Sequence, residues 1–276
     1  MPNKVTYEKE AEDFLATKLS ILGDNDLLKL KLGDFAKFLP EEESPDSISK
    51  EAVAFLAKLF ESLGVQTEPR LRKGIVQRSF SNPIFLYRCS GDFDHSTQHF
   101  KQGLLMVRLA VITALSDGDA ADDELEEIKK IIWDQNIFSL PEKKSLYAKA
   151  SYLMLHDYEE DERGRDYRRK FLSKTSFLEK FAELEAFHAL RMLELAKDIV
   201  IADHFLDRGE LKLLQEMYKI VGLSARSTES DLLKYANEKH ILLETFRAKI
   251  SETSGDNDND DFGDVLGELL AEFDDF

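Results

Sequence analysis

The sequence predicts an all-α fold in which two pseudo-symmetric helical units follow a small N-terminal helical region. Apolar residues recur at helical spacing along most of the 276-residue chain, one segment repeats after a shift of 86 residues, and a single stretch has the pattern of a strand. The predicted divisions are an N-terminal helical region 1–46, a helix with an irregular connector 47–96, a helical repeat domain 97–251, a disordered acidic linker 252–261 and an amphipathic helix 262–276.

Three helices are predicted before the irregular connector, two in the N-terminal region and one in the division 47–96. Residues 7–21 and 26–38 form two weakly amphipathic segments. Ser47 or Ser49 caps a third, EAVAFLAKLFESLGV, in which apolar residues recur at helical spacing until Gly64 ends the helix.

After this helix, prolines and glycines interrupt the pattern, and IFLYRC at 84–89 is the one convincing strand. A lone strand needs a partner, so an isolated hairpin is the most that we expect there. Further helices are then predicted at 99–116, 121–134, 141–156, 164–173, 176–202, 207–221 and 228–251.

The repeat aligns LAVITALSDGDAADDELEEIKKI with LAKDIVIADHFLDRGELKLLQEM. Each copy is an apolar helix, an Asp, six residues, a Glu and a second amphipathic helix. Asp207 and Glu210 in the second copy have the spacing of a capping box, in which each side chain accepts a backbone N–H of the helix start. In the first copy Ala121 stands at the capping position, so Asp119 or Asp122 takes that role.

The same acidic turns have the hard oxygen ligands that a divalent cation prefers, although their spacing is not that of an EF-hand. The candidate metal ligands are Asp117, Asp119, Glu124, Asp203, Asp207 and Glu210. In the first turn Asp122 or Asp123 is a further donor. Helix capping and metal binding both remain open for these residues.

The repeat resembles the TerB family of tellurite-resistance and stress-response proteins. The motif is an apolar helix ending in A-D-G followed by a Glu that begins the next helix, and it stands here as Ser116-Asp117-Gly118 with Glu124 and as Ala202-Asp203-His204 with Glu210. The segments LFESLGVQTEPRLR, IFLYRC and YKIVGLS extend the resemblance to the longer type with a TerB-C-like region. It covers roughly residues 48–240.

The resemblance implies an all-helical domain without established catalytic activity, which serves as an interaction or metal-responsive module in stress and phage-defence systems. By this resemblance to the family motif, the candidate functional positions are Asp117, Glu124, Asp203 and Glu210. Two departures from the family pattern stand at Ser116, where the family has Ala, and at His204, where it has Gly.

No common catalytic motif accompanies the repeat: G-x-S-x-G, the P-loop, G-x-G-x-x-G and H-E-x-x-H are all missing from the sequence. A transition-metal cluster of Asp92, Asp94, His95 and His99, with hydrolase activity, is the last-ranked alternative. Cys89 is expected to be a buried inert thiol, and Trp133 a residue of a helix face turned to the core. The sequence therefore predicts a protein that is not an enzyme.

Charge and composition predict a cytoplasmic protein without membrane insertion. Met1 is followed by a polar, acidic stretch rather than a secretory signal, a single cysteine suits a reducing compartment, and the longest apolar run, 104–115, contains Arg108. The net charge of −17 argues against free nucleic acid as the main partner.

The segment FGDVLGELLAEFDDF at 262–276 has the strongest functional signal. Its apolar residues form one complete helical stripe opposite the acids: Phe262, Val265, Leu266, Leu269, Leu270, Phe273 and Phe276. A helix this short is marginal alone, so it is predicted to dock into a groove of another protein. The alternatives are a last helix packed on its own domain and a solubilising tail without a partner.

The sequence contains two basic stretches, PRLRKGIVQR at 69–78 and RGRDYRRKF at 163–171. Three interpretations remain open for them: exposed solvated faces, docking sites for the acidic tail, or local contacts to nucleic acid.

The leading hypothesis is a non-enzymatic adaptor that recruits a nuclease, helicase or ATPase from the same operon through its C-terminal helix. The alternative is a divalent-cation sensor that uses the acidic turns.

Overall fold

The computed structural model describes residues 4–20, 23, 27–39, 48–71, 80–89, 93–115, 122–155, 162–202 and 204–245. The chain is mostly helical, as predicted. Its first two α-helices are α1, Lys4–Ser20, and α2, Lys50–Ser62. The Ser49 hydroxyl caps α2 by accepting the Ala52 N–H at 3.1 Å, and Gly64 follows the helix with a φ of 64° that favours glycine.

The prediction of a helix over 26–38 is wrong. Leu28–Lys31 forms strand β1, and Leu32–Phe38 forms a 3₁₀ helix directly after it. The sequence LLKLKL alternates leucine with lysine, and this period of two places the leucines on one face of a strand. Gly33 lies close to a neighbouring chain segment: its N–H donates to the Phe80 carbonyl at 2.8 Å, and a Cβ would lie 3.0 Å from that oxygen.

The predicted strand is confirmed as β3, Pro83–Arg88, but the expectation of an isolated hairpin is wrong. β3 is the central strand of an antiparallel sheet with the order β1-β3-β2, in which β2 is Val65–Glu68. Leu86 lies opposite Leu28 of β1 and opposite Thr67 of β2. The strand therefore has two partners, and one of them was hidden in the segment assigned to a helix.

Among the described residues, eight α-helices follow the sheet. Their bounds are Gln98–Ala114 (α3), Asp122–Asp134 (α4), Leu140–Leu153 (α5), Glu162–Leu172 (α6), Lys174–Ala182 (α7), Ala186–Val200 (α8), Arg208–Ile220 (α9) and Thr228–Glu238 (α10). A 3₁₀ turn, Ala225–Ser227, precedes α10. Helix α3 is the centre of this body, because it packs against α4, α5, α6, α7 and α8.

Glycine permits the closest of these contacts. Gly103 of α3 faces Phe138 and Leu146, and a Cβ at this position would lie 2.8 Å from the Phe138 ring and 2.9 Å from the leucine methyl. The absence of a side chain at Gly103 therefore lets α3 and α5 approach each other.

Two helices are shorter than predicted. The helix expected over 176–202 breaks into α7 and α8, because a continuous helix would place Glu185 on the same face as buried Phe181 and Ala189. The helix expected over 228–251 ends at Glu238.

The end of α10 is set by a turn rather than by loss of apolar residues. His240 adopts a left-handed φ of 60°, and the Ile241 N–H donates back to the Ala236 carbonyl at 2.9 Å. The chain then forms β5, Glu244–Thr245, which pairs in parallel with β4, Phe205–Leu206.

The side chains of a strand alternate between the two faces of its sheet. Strand β3 lies between two hydrophobic cores and contributes side chains to both. Ile84 and Leu86 belong to the N-terminal core, whereas Phe85 and Tyr87 belong to the core of helices α3–α10. Fully buried members of the N-terminal core include Leu15, Leu32, Phe35 and Leu56, and those of the C-terminal core include Leu109, Leu146, Phe177 and Met217.

Candidate interaction surface

The second acidic turn is a capping box, as its spacing predicts. Asp207 accepts the N–H groups of Gly209 and Glu210 through Oδ1, the latter at 3.0 Å. In return, Glu210 Oε2 accepts the N–H of Asp207 at 3.1 Å, and Glu210 is buried. Both carboxylates therefore stabilise the start of α9, which is the structural role predicted for them.

The other predicted metal ligands are not placed by the structure. Asp117, Asp119 and Asp203 lie outside the described residues, as do the side chains of Asp122, Asp123 and Glu124 at the start of α4. In the described ranges, no group of three or more histidine, cysteine, aspartate or glutamate residues has the arrangement of a metal site.

The two histidines of the last-ranked alternative have different partners. The His95 ring stacks on Phe93 with centroids 3.9 Å apart, and its Nδ1 lies 2.9 Å from the Phe93 carbonyl oxygen. His99 Nε2 lies 2.6 Å from Glu142 Oε1. Hydrogen bonds from the Ser96 hydroxyl and N–H lower the pKa of Asp94. Asp92 lies outside the described residues.

Two further sequence expectations concern single residues in the core. Cys89 follows β3 and is buried, as expected, and the inertness of its thiol stays a prediction. Trp133 is partly buried on α4, and its ring meets the Tyr147 ring edge-on at 5.7 Å.

A buried ion pair connects the sheet to the helical body. Lys149 Nζ of α5 lies 2.6 Å from Glu68 Oε1 of β2, and 90% or more of each side chain is shielded from solvent. The ammonium also lies 5.0–5.8 Å from the ring centroids of Tyr152, Tyr167 and Phe171. Sequence reasoning missed this pair because the partners are far apart in the chain.

Arg108, the charge inside the longest apolar run, is buried near the same Phe171 ring. Its guanidinium is 5.2 Å from the Phe171 ring and 5.9 Å from the Phe177 ring, and it donates to the Ser173 carbonyl at 2.8 Å. Burial lowers the pKa of Arg108. The arginine thus fixes the turn between α6 and α7.

The predicted basic stretch at 163–171 is part of helix α6. Arg168 is buried and donates to the Leu153 carbonyl at 3.2 Å, so at least one of its charges has a structural role. Most of the other basic stretch, 72–79, lies outside the described residues.

A pocket lies between α1, β1 and the 3₁₀ helix. Its lining residues are Phe14, Lys18, Leu30, Gly33, Asp34, Ala36 and Lys37. Lys37 Nζ lies 5.0 Å from the Phe14 ring centroid, and Lys18 Nζ lies 5.8 Å from it. The pocket therefore combines the apolar side chains of Phe14 and Leu30, here called its floor, with the ammonium groups of Lys18 and Lys37, here called its rim.

The acid of this pocket is already engaged. Asp34 Oδ2 accepts the Lys31 N–H at 2.9 Å at the start of the 3₁₀ helix. In the described ranges, neither Lys18 nor Lys37 forms an ion pair. Sequence reasoning missed the pocket because it assigned 26–38 to a helix, and the leucine–lysine alternation was the signal that could have revealed it.

Exposed apolar side chains form a second feature of the described surface. Phe187 of α8 is 65% exposed, Leu190 one turn later is 46% exposed, and Leu242 before β5 is 79% exposed. Single exposed leucines are ordinary on protein surfaces, so these residues alone do not define a site.

All seven tail residues predicted to bind a partner, from Phe262 to Phe276, lie outside the described residues.

The chain was also compared with protein-family models, curated protein sequences and solved structures, and no match was found. Within the described ranges, no helix combines the length and hydrophobicity that crossing a membrane requires.

Proposed function

We propose that the protein is a non-enzymatic, TerB-like helical adaptor that recruits a partner protein through residues 262–276. The observation that carries this proposal is the stripe of seven apolar residues at helical spacing, with acids on the opposite face. Such a segment gains a stable helix when its stripe is buried in a groove. The resemblance to TerB proteins suggests a nuclease, helicase or ATPase of the same operon as the partner.

The burial of corresponding repeat positions supports two related helical units. Ile128 of α4 and Leu214 of α9 are both buried, whereas Ile137 and Leu223 after these helices are 58% and 45% exposed. Similar burial at equal spacing is expected when two helices of one repeat pack in the same way, although Leu109 is fully buried and its counterpart Leu195 only partly.

The affinity that the stripe could supply is moderate. Each large apolar side chain contributes about 1.5–3 kcal/mol when it is buried. Association and ordering cost on the order of 4–15 kcal/mol. Seven side chains are therefore consistent with micromolar binding, about −8 kcal/mol.

A pull-down from the native host tests the recruitment. The full chain should capture a protein that a chain truncated after residue 255 does not capture, and the Leu269→Asp/Leu270→Asp variant should lose it too. The Gly267→Asp/Ala271→Asp variant is the matched control, because it adds the same charge to the opposite face. Identical captures by all four proteins would refute the proposal.

The second candidate function is a divalent-cation sensor, and the acidic residues of the two turns are the observation that favours it. In the second turn, however, Asp207 and Glu210 are engaged in capping α9, which argues against their use as metal ligands. Titration calorimetry with millimolar Ca²⁺, Mg²⁺ and Zn²⁺ separates the two functions. Saturable heat that Asp117→Asn and Asp203→Asn abolish would favour the sensor.

A further inference from the structure

We infer that the pocket between α1, β1 and the 3₁₀ helix receives the acidic segment 262–276 of the same chain and thereby competes with partner binding. This inference rests on the proposed function, because it assigns a regulator to the same segment. The occupant has to offer apolar side chains to the floor formed by Phe14 and Leu30, and anionic groups to the rim formed by Lys18 and Lys37.

Charge complementarity is the first argument. Both rim lysines are exposed, and neither has a carboxylate partner in the part of the chain that the structure describes. Residues 256–276 contain nine acids and no base, whereas the remainder of the chain contains both signs. A strongly acidic segment is therefore attracted to this rim, and the attraction weakens with added salt.

The chemistry of the pocket floor is the second argument. The final residues FDDF place Phe273 and Phe276 around two adjacent aspartates. The Phe14 ring packs against Phe35 and Phe38, with ring centroids 5.6 and 5.5 Å away, and a phenylalanine of the tail would extend this aromatic cluster. The two rim ammonium groups match Asp274 and Asp275 in number and sign. An acidic peptide without aromatic residues would use the rim but leave the floor unfilled.

Residues 246–261 tether the tail to the body of the same chain. Residues 246–261 follow β5 and can span roughly 50 Å when extended. A tethered segment has an effective concentration on the order of millimolar, so even a weak contact is populated. A partner that binds the same apolar stripe must then displace the tail from the pocket.

The test is a distance measurement by electron paramagnetic resonance in the full chain. Spin labels are placed at Ala16→Cys, which is exposed on α1, and at Ala271→Cys in the tail, in a Cys89→Ala background. We expect one short, narrow distance distribution that Lys18→Glu/Lys37→Glu and high salt broaden. Lys174→Glu/Lys212→Glu changes the charge equally at exposed positions of α7 and α9, and should leave the distribution unchanged.

Two results would overturn the inference. One is a distribution that the pocket variant leaves unchanged. The other is the same short distance in a mixture of two singly labelled chains, since the tail of a second copy would then occupy the pocket.

Partner capture separates this inference from the proposed function. If the tail is held by the pocket, Lys18→Glu/Lys37→Glu should raise partner capture several-fold while the Leu269→Asp/Leu270→Asp variant still abolishes it. Unchanged capture by the pocket variant would reject the docking alone. Loss of the dependence on the stripe would reject the adaptor function.

Discussion

The two faces of strand β3 are packed by different chemistry. On the N-terminal face, Ile84 and Leu86 are fully buried among apolar side chains of α1, α2 and the 3₁₀ helix. On the opposite face, Phe85 and Tyr87 share the interface with helix α5 and with polar groups. The first face supplies hydrophobic burial, whereas the second also constrains orientation, because buried polar groups need specific partners.

Three polar contacts define that second face. Tyr87 donates its hydroxyl to Gln66 at 3.1 Å, and burial raises the pKa of Tyr87 far above its ordinary value. Lys144 of α5 donates to the Arg88 carbonyl at 3.3 Å. The Tyr87–Gln66 contact joins β3 to β2, whereas the Lys144 contact and the pair of Lys149 and Glu68 fix how the sheet packs on α5.

The largest effect is expected when one partner of the buried pair is removed. Lys149→Met leaves the Glu68 carboxylate buried without its cation, and should lower the free energy of unfolding by about 3–5 kcal/mol. Urea denaturation measures the loss. The double variant Glu68→Leu/Lys149→Met should recover most of it, since no unpaired charge remains.

Equal stability of the single variant and the parent would contradict the importance of this pair. A double variant no more stable than the single one would show that the unpaired Glu68 carboxylate is not what destabilises Lys149→Met.

The next-largest loss of stability is expected when one buried leucine is truncated in either core. Leu56→Ala in the N-terminal core and Leu109→Ala in the C-terminal core each remove a fully buried leucine, and each should cost about 3 kcal/mol. If the shared strand β3 couples the cores, both variants shift a single unfolding transition. The exposed control Lys58→Ala should change the stability by less than about 0.5 kcal/mol. Two separate transitions, each sensitive to one leucine, would show that the cores unfold independently.

Local signals in the sequence were sufficient for most helices. Ser49 and the Asp207–Glu210 pair marked helix starts because capping depends on residues within one turn. Strand β1 was missed because a short leucine-rich run is compatible with both helix and strand, and its pairing with β3 is a tertiary contact. The break between α7 and α8 was missed because a single charged position, Glu185, within an otherwise apolar spacing does not by itself indicate a break.

Local sequence patterns could not predict the candidate pocket or the ion pair of Glu68 and Lys149. Glu68 and Lys149 meet only after the sheet has docked on α5, and no periodicity within either element indicates the partner. Phe14 and Lys37 likewise come from two elements that meet at the pocket. The tail helix stays a prediction from sequence, based on a complete apolar stripe over 15 residues, which is a local property.

A smaller effect is expected at the capping box of α9. Asp207→Ala removes the acceptor for the N–H groups of Gly209 and Glu210, and should lower the free energy of unfolding by about 1 kcal/mol. Asp207→Asn retains an acceptor oxygen and should restore most of the stability. Hydrogen exchange of the first turn of α9 locates the change, and unaltered exchange there would contradict the capping role.

The smallest effect concerns pH and the capping box of α5. Burial raises the pKa of Glu142, but hydrogen bonds from Ser139 and His99 outweigh it and hold the pKa below its usual range. A carboxyl group with a lowered pKa in the folded state stabilises the fold above its unfolded-state pKa of about 4.3, and this contribution disappears as the pH falls through the lower folded-state value.

The stability difference between the parent and Glu142→Gln should therefore shrink on acidification. We expect about 1 kcal/mol near pH 7 and less below pH ~4. Chemical denaturation over this pH range measures the difference. A difference that grew on acidification would mean that the ionised carboxylate destabilises the fold.

The most direct test of the central claim is the affinity of the captured partner for tail variants of the full chain. If the apolar stripe of residues 262–276 drives recruitment, Leu269→Asp/Leu270→Asp should weaken binding at least about tenfold, or 1.4 kcal/mol. Gly267→Asp/Ala271→Asp, with the same added charge on the opposite face, should bind within about twofold of the parent. Equal losses for both variants would show that charge alone matters, and would contradict recruitment by the stripe.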